Sequence, residues 1–176
     1  MSILVKALFP ESLREFRWPA EIHTKFTGER IHVAAVCYRL KEGEPEFLLV
    51  RTRGGRWTFP KGGVDDDATH ADAAAREAYE EAGVRGQIEN EPFHWYFHSK
   101  RERFRAFRDV VTVQAHLCEV HRLVSPKESH RNPTWFSAEK ARRRLRLNRC
   151  PELADEVIAA LDCAVQRIQT RARRIA

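Results

Sequence analysis

The stretch from Thr69 to Gly83, THADAAAREAYEEAG, constrains this chain more than any other. Thr69 is a good helix N-cap, and Asp72 three residues later completes an imitation of a capping box. Gly83 supplies the usual left-handed stop. These signals predict a helix from His70 to Ala82. At about 100° per residue, Ala71, Ala74, Ala75, Ala78 and Ala82 gather on one side, a small-residue face that lets a helix approach a sheet closely. Glu77, Glu80 and Glu81 gather on another side, at relative positions i, i+3 and i+4. Carboxylates that close repel by a few tenths of a kcal/mol per pair even when exposed. A cation is the simplest relief, and oxygen-only ligands at this density suit Mg²⁺ or Mn²⁺. On the helix alone, a solvated acidic face with the pairs Asp72–Arg76 and Arg76–Glu80 explains the pattern as well.

The preceding residues shift that balance. Trp57, Phe59, Pro60, Lys61, Gly62 and Gly63 run from a short strand into a glycine-containing loop just before the acidic helix. Glycine lets a backbone come near a metal or phosphate, and its carbonyl can be a ligand.

From Gly62 the chain reads GGVDDDATHADAAAREAYEEAGV. This resembles the Nudix signature, G-x5-E-x7-R-E-U-x-E-E-x-G-U with U bulky and aliphatic. Gly62, Arg76, Glu77, Glu80, Glu81, Gly83 and Val84 fall on motif positions without a gap, and WTFPK resembles the family's lead-in. Gly63, Arg76 and Gly83 would support the motif. Two positions depart. Ala68 stands where the signature has its first glutamate, so Arg76 loses a partner that Asp67 or Asp72 would have to replace. Ala78 stands where a bulkier aliphatic residue is usual.

The resemblance implies a hydrolase that cleaves a pyrophosphate linkage. It also implies that Glu77, Glu80, Glu81 and the Gly62 carbonyl hold Mg²⁺ or Mn²⁺. Glu80 or Glu81 would serve as general base, or Glu128 on the later loop SPKESHRNP. The pattern is most similar to the diphosphoinositol polyphosphate and diadenosine polyphosphate hydrolase branch. Polyphosphorylated small molecules therefore rank first as substrates, with ADP-ribose or other nucleoside diphosphate derivatives second. A Nudix-fold module that holds nucleotide or RNA without turnover is the remaining class. No RNA-binding motif accompanies the basic residues, and the intact REAYEEAG exceeds what binding requires.

Substrate contacts must come from outside the motif. Arg51 and Arg53 leave the strand before it, and Lys61 adjoins Gly62. His98, Lys100, Arg101, Arg103 and Arg105 occupy a connection between two strands. Guanidinium groups pair bidentately with phosphate oxygens, so this density suits several phosphates. The chain carries 31 basic and 25 acidic residues, a formal charge of +6, which favours anionic partners. Trp57, Trp95, Tyr96 and Trp135 are candidates to stack a base, although aromatics in strands more commonly fill a core.

The remaining pattern predicts one α+β domain, an α/β/α sandwich with a mixed central sheet, flanking helices and an extra long C-terminal helix. Strands are expected at Arg30 to Leu40, Glu46 to Arg53, RWTFP, Phe93 to Lys100, Phe107 to Val120 and PTWFS. A helix is expected in SAEKARRRL, capped by Ser137. Pro151 opens the last helix, whose Leu153, Val157, Leu161, Ala164 and Ile168 recur at core spacing. The basic tract Lys140 to Arg149 reads as a solvated face. Residues 1–29 form an extension and residues 30–176 the domain. Four cysteines without metal-like spacing read as reduced thiols. With no apolar run near the roughly 20 residues of a membrane span and no secretory pattern at the start, the cytoplasm is the default address. A monomer or homodimer is expected.

Overall fold

A computed structural model describes residues 31–99 and 110–175. Strand β1 (Ile31–Lys41) and strand β7 (Val110–Leu123) run parallel at the centre of an eight-stranded mixed sheet. The free edge of β1 is shared. Its C-terminal half pairs with β2 (Glu44–Arg51) and its N-terminal half with β4 (Lys61–Gly63), both antiparallel. The free edge of β7 is shared in the same way, by β6 (His94–Ser99) and β5 (Val84–Ile88). Strands β3 (Trp57–Thr58) and β8 (Thr134–Ser137) extend the sheet from β2.

Strand alternation sorts the core into two layers. Val33, Ala35 and Cys37 of β1, with Leu48 and Val50 of β2, pack under helix α1 (His70–Ala82). Ala34, Val36 and Tyr38, with Phe47 and Leu49, face helices α2 (Ala138–Arg146) and α3 (Pro151–Ile175). The expected sandwich is the one observed. On α3, Leu153, Val157, Leu161, Ala164 and Ile168 are all buried. Cys37 and Cys118 are buried, Cys150 and Cys163 are half-buried, and all four are free thiols. No described helix is long and apolar enough to cross a membrane.

Two strands lie outside the expected elements. Lys61–Gly63 has weak strand propensity, yet β1 recruits it, with Val33 opposite Gly62. Val84–Ile88 pairs with β7 through a bulge at Arg85 and Gly86, and its mostly exposed side chains give no apolar alternation. Helix α1 has the expected bounds. Its buried small-residue face includes Ala73, with Ala75 nearer the rim. The expected N-terminal extension, residues 1–29, lies outside the described residues.

Candidate active site

The caps that fix α1 also aim its carboxylates. Thr69 Oγ1 accepts from Asp72 N at 3.1 Å, and the Thr69 hydroxyl donates to the Asp72 carboxylate at 2.6 Å. At the other end Gly83 adopts φ 67° and donates to Tyr79 O at 2.9 Å. Only glycine suits this position, since a Cβ here would stand 1.9 Å from Val124 O, which is backbone. The close approach locks the end of α1 to the chain leaving β7, where Val124 N donates to Gly83 O at 2.8 Å.

Pairing of β4 with β1 turns Gly62 toward α1, and there it meets Glu77. A Cβ on Gly62 would lie 2.1 Å from Glu77 Oε1, so the carboxylate occupies the space a side chain would take. Burial raises the Glu77 carboxyl above its ordinary range, and the charges of Glu80 and Glu128 raise it further against the pull of Arg76 and Lys61. Glu81 is more enclosed, at 2% exposure. Its Oε2 accepts from Lys61 N at 3.2 Å, and its Oε1 meets Arg131 Nη2 at 2.5 Å. Burial pushes Glu81 up to about 7, although Arg131 and Lys61 oppose the rise. Glu80 lies nearer solvent and pairs with Lys127 at 2.9 Å.

Glu128 arrives from the loop after β7. Its backbone N–H donates to Glu80 O at 3.0 Å, which fastens this loop to α1. Its carboxylate bonds Arg131 Nε at 2.6 Å, across a one-turn 3₁₀ helix at Ser129–Arg131. Glu77, Glu80, Glu81, Gly62 and Glu128 therefore lie near one another at one end of the sheet. Among the described residues, no three His, Cys, Asp or Glu side chains converge as they would around an ion. Glu77 rests on Gly62, Glu80 turns to Lys127 and Glu81 to Arg131. The donor chemistry still fits a hard divalent cation: all side-chain donors are oxygens, and a bare Gly62 leaves the backbone approachable.

On the other face of β4 the charge changes sign. Lys61 pairs with Ala34, whose side chain faces α2 and α3. Burial lowers Lys61 to about 8; the charges of Arg149, Arg131 and Arg56 add to this and Glu81 opposes it. His98 is buried at 5% exposure. Burial, then the charges of Lys61, Arg149, Arg56 and His32, hold it far below the usual histidine range, so it is neutral at ordinary pH. The buried Tyr96 hydroxyl feels the charges of Arg149 and Glu81 and has no hydrogen-bond partner among the described residues. Arg149 crosses from the α2–α3 junction. Its Nη1 donates to Leu145 O at 2.5 Å and its Nη2 to Trp57 O at 2.9 Å.

Arg56, Arg131 and Arg149 are not among the residues expected from sequence. Arg149 ends the basic tract, whose other arginines form a solvated face: Arg142 pairs with Asp162, Arg143 with Glu139 and Arg146 with Asp155, and Arg144 lies over the Phe136 ring. Arg51 is exposed, with its guanidinium 5.1 Å from the Trp57 ring centroid, and Arg53 is exposed in the following turn. Lys100, Arg101, Arg103 and Arg105 lie outside the described residues. Arg76 finds Asp65, at 2.6 Å, in place of the expected Asp67 or Asp72. Asp72 is held by Thr69 at the cap, and Asp65 sits where the loop passes the arginine. Trp57 and Tyr96 are buried in the core; Trp95 and Trp135 are half-buried, with Arg39 over the Trp135 ring at 4.3 Å.

Comparison with known proteins agrees with this geometry. The NUDIX domain family model matches residues 30–159. Nudix hydrolase 21, chloroplastic, of Arabidopsis thaliana is 43% identical over 123 residues, 65% of this chain and 59% of that protein. Diphosphoinositol polyphosphate phosphohydrolase 2 of Rattus norvegicus is 34% identical over 116 residues, 65% of this chain and 62% of that protein. The chain thus spans about six-tenths of the length of these relatives. A solved C. elegans Ap4A hydrolase binary complex has the same fold, with TM-score 0.62 and 24% identity, covering 81% of this chain and 99% of that one. A family match over most of the chain, together with signature residues gathered at one end of a mixed sheet, makes this chain a member of the Nudix family.

Proposed function

We propose that this protein hydrolyses a pyrophosphate linkage in a polyphosphorylated small molecule, a dinucleoside polyphosphate or an inositol pyrophosphate, with Mg²⁺ or Mn²⁺ as cofactor. The observation that carries the reading is a change of charge across β4. Glu77 meets Gly62 on the α1 face, whereas Lys61 pairs opposite Ala34 and Arg149 reaches Trp57 O on the side of α2 and α3. A polyphosphate needs both: cations to hold its outer phosphates and carboxylates for an ion at the bond that breaks. The names of the rat and C. elegans proteins point to the same substrate class.

Glu77, Glu80, Glu81 and the Gly62 carbonyl would hold the ion, which when bound supplies charge stabilisation at phosphorus. The other roles belong to protein groups. Lys61 and Arg149, with Arg51 and Arg53 at the rim, take phosphate oxygens. Lys100, Arg101, Arg103 and Arg105 would add to this grip. Neutral His98 and the Tyr96 hydroxyl line the basic side and can donate without adding charge. A carboxylate takes a proton from water as the water oxygen bonds phosphorus. The bridging oxygen then leaves with its phosphate and takes up a proton. We assign this proton to Glu128, because its carboxylate shares Arg131 with Glu81 and its backbone is tied to Glu80.

The test is turnover with Mg²⁺ or Mn²⁺ of dinucleoside polyphosphates, inositol pyrophosphates, ADP-ribose and nucleoside triphosphates. Preference for the first two supports the reading. Preference for ADP-ribose would move the substrate class. Binding without turnover of any member would point to a ligand-holding module instead.

A further inference from the structure

Arg131 bridges two carboxylates of the acidic site, Glu81 and Glu128. Its Nη2 meets Glu81 Oε1 at 2.5 Å while its Nε bonds Glu128 Oε2 at 2.6 Å. The Glu81 side chain is 3% exposed, and its other oxygen is taken by Lys61 N. A buried carboxylate next to Glu77 needs an opposing charge, and a planar guanidinium can serve two carboxylates at once. The segment is built to hold this pose. Glu128 N is anchored to Glu80 O, and Asn132, in the left-handed region at φ 48°, ends the single turn that carries Arg131. Lys127, two residues before Ser129, makes the parallel contact to Glu80. One short loop thus brings a cation to each of two expected metal ligands and a carboxylate between them.

We propose that Arg131 is a positioning residue that serves as the site's internal cation: it neutralises Glu81 before a divalent ion binds, gives up Glu81 to the ion, and keeps Glu128 aimed at the reaction centre. The inference rests on the metal-site reading above. It has a signature that a purely structural arginine would lack, because ion affinity and turnover should move in opposite directions. With Arg131 removed, Glu81 Oε1 loses its competing partner, and a divalent ion should bind more tightly. Glu128 is also released, and turnover should fall.

The experiment measures Mn²⁺ binding to the substrate-free protein by calorimetry, beside kcat at saturating Mg²⁺. Arg131→Gln should bind Mn²⁺ about tenfold more tightly, the scale of one lost charge-assisted contact. Its kcat should fall about 10- to 100-fold, the scale of a misplaced catalytic group. Arg131→Lys keeps the charge without the fork. It should bind Mn²⁺ within about twofold of the wild type while losing turnover, and it carries the test if the glutamine variant fails to fold. Unchanged or weaker Mn²⁺ binding in Arg131→Gln, with the wild type binding normally, overturns this inference alone, as does an unchanged kcat in both variants. No Mn²⁺ binding by the wild type overturns the metal-site reading and this inference with it.

Discussion

The Glu77 carboxylate lies against the α-carbon of Gly62, in the space a side chain at 62 would fill. The two residues are brought together by different parts of the fold. Pairing with Val33 turns Gly62 toward α1, while the Thr69 and Gly83 caps set the rotation of α1 that brings Glu77 down.

Gly62→Ala should therefore separate folding from function. The added Cβ would collide with the far end of a flexible side chain, so Glu77 can swing away at little cost in stability, about 1 kcal/mol or less. The carboxylate would then leave its place, and kcat should fall about 100-fold, the scale for losing one electrostatic contributor. Thermal melting beside steady-state kinetics checks this; a variant that keeps both stability and kcat would show that the contact is incidental.

Activity should trace a narrow bell in pH. Glu81 must lose its proton to accept a divalent ion, and burial has raised it to about 7. Lys61 must keep its proton to hold phosphate, and burial has lowered it to about 8. The rise of kcat/KM through the first value should move to lower pH as Mg²⁺ is raised, because proton and ion compete for one carboxylate. Metal-free stability should run the other way. A carboxylate raised in the folded state gives stability that is full below its unfolded value and lost as pH climbs through about 7. A kcat/KM that stays flat from about pH 6 to 9 would remove both groups from the mechanism.

Glu156 allows the same linkage to be tested at a group outside the α1 carboxylates. It is buried on α3, accepts from Phe97 N at 3.2 Å on the edge of β6, and is raised to about 7, chiefly by burial. Its penalty is absent in acid and present above neutrality. Glu156→Gln keeps the acceptor and abolishes the charge. It should match the wild type near pH 5 and gain on the order of 1–3 kcal/mol by pH 8. Melting temperatures at the two pH values decide it, and an equal effect at both would assign Glu156 a purely steric role.

Much of this was legible in the chain. Both ends of α1, the α3 stripe and the sandwich itself follow from caps and periodicity, which are local signals. That Glu77, Glu80 and Glu81 leave one side of α1 follows from spacing; that each turns to a different partner does not. What was hidden depends on contacts between distant segments. Lys61–Gly63 becomes a strand only because β1 offers it an edge. Arg149 ends a tract whose other arginines are ordinary surface charges, and only the turn at the α2–α3 junction carries it inward to Trp57 O. Arg131 was hidden for the same reason, since nothing near it in sequence names Glu81 as its partner. Asp65, not Asp67 or Asp72, meets Arg76 because the path of the loop decides the pairing, and that path is not written in spacing alone.

The central claim is that the carboxylates of α1 run a pyrophosphohydrolase, and Glu81→Gln tests it most directly. The substitution keeps an oxygen for Lys61 N and removes the negative charge an ion would need. With the substrate that the wild type turns over best, at saturating Mg²⁺, the account predicts a fall in kcat of about two to three orders of magnitude with the fold retained. A Glu81→Gln protein that keeps full activity would contradict it.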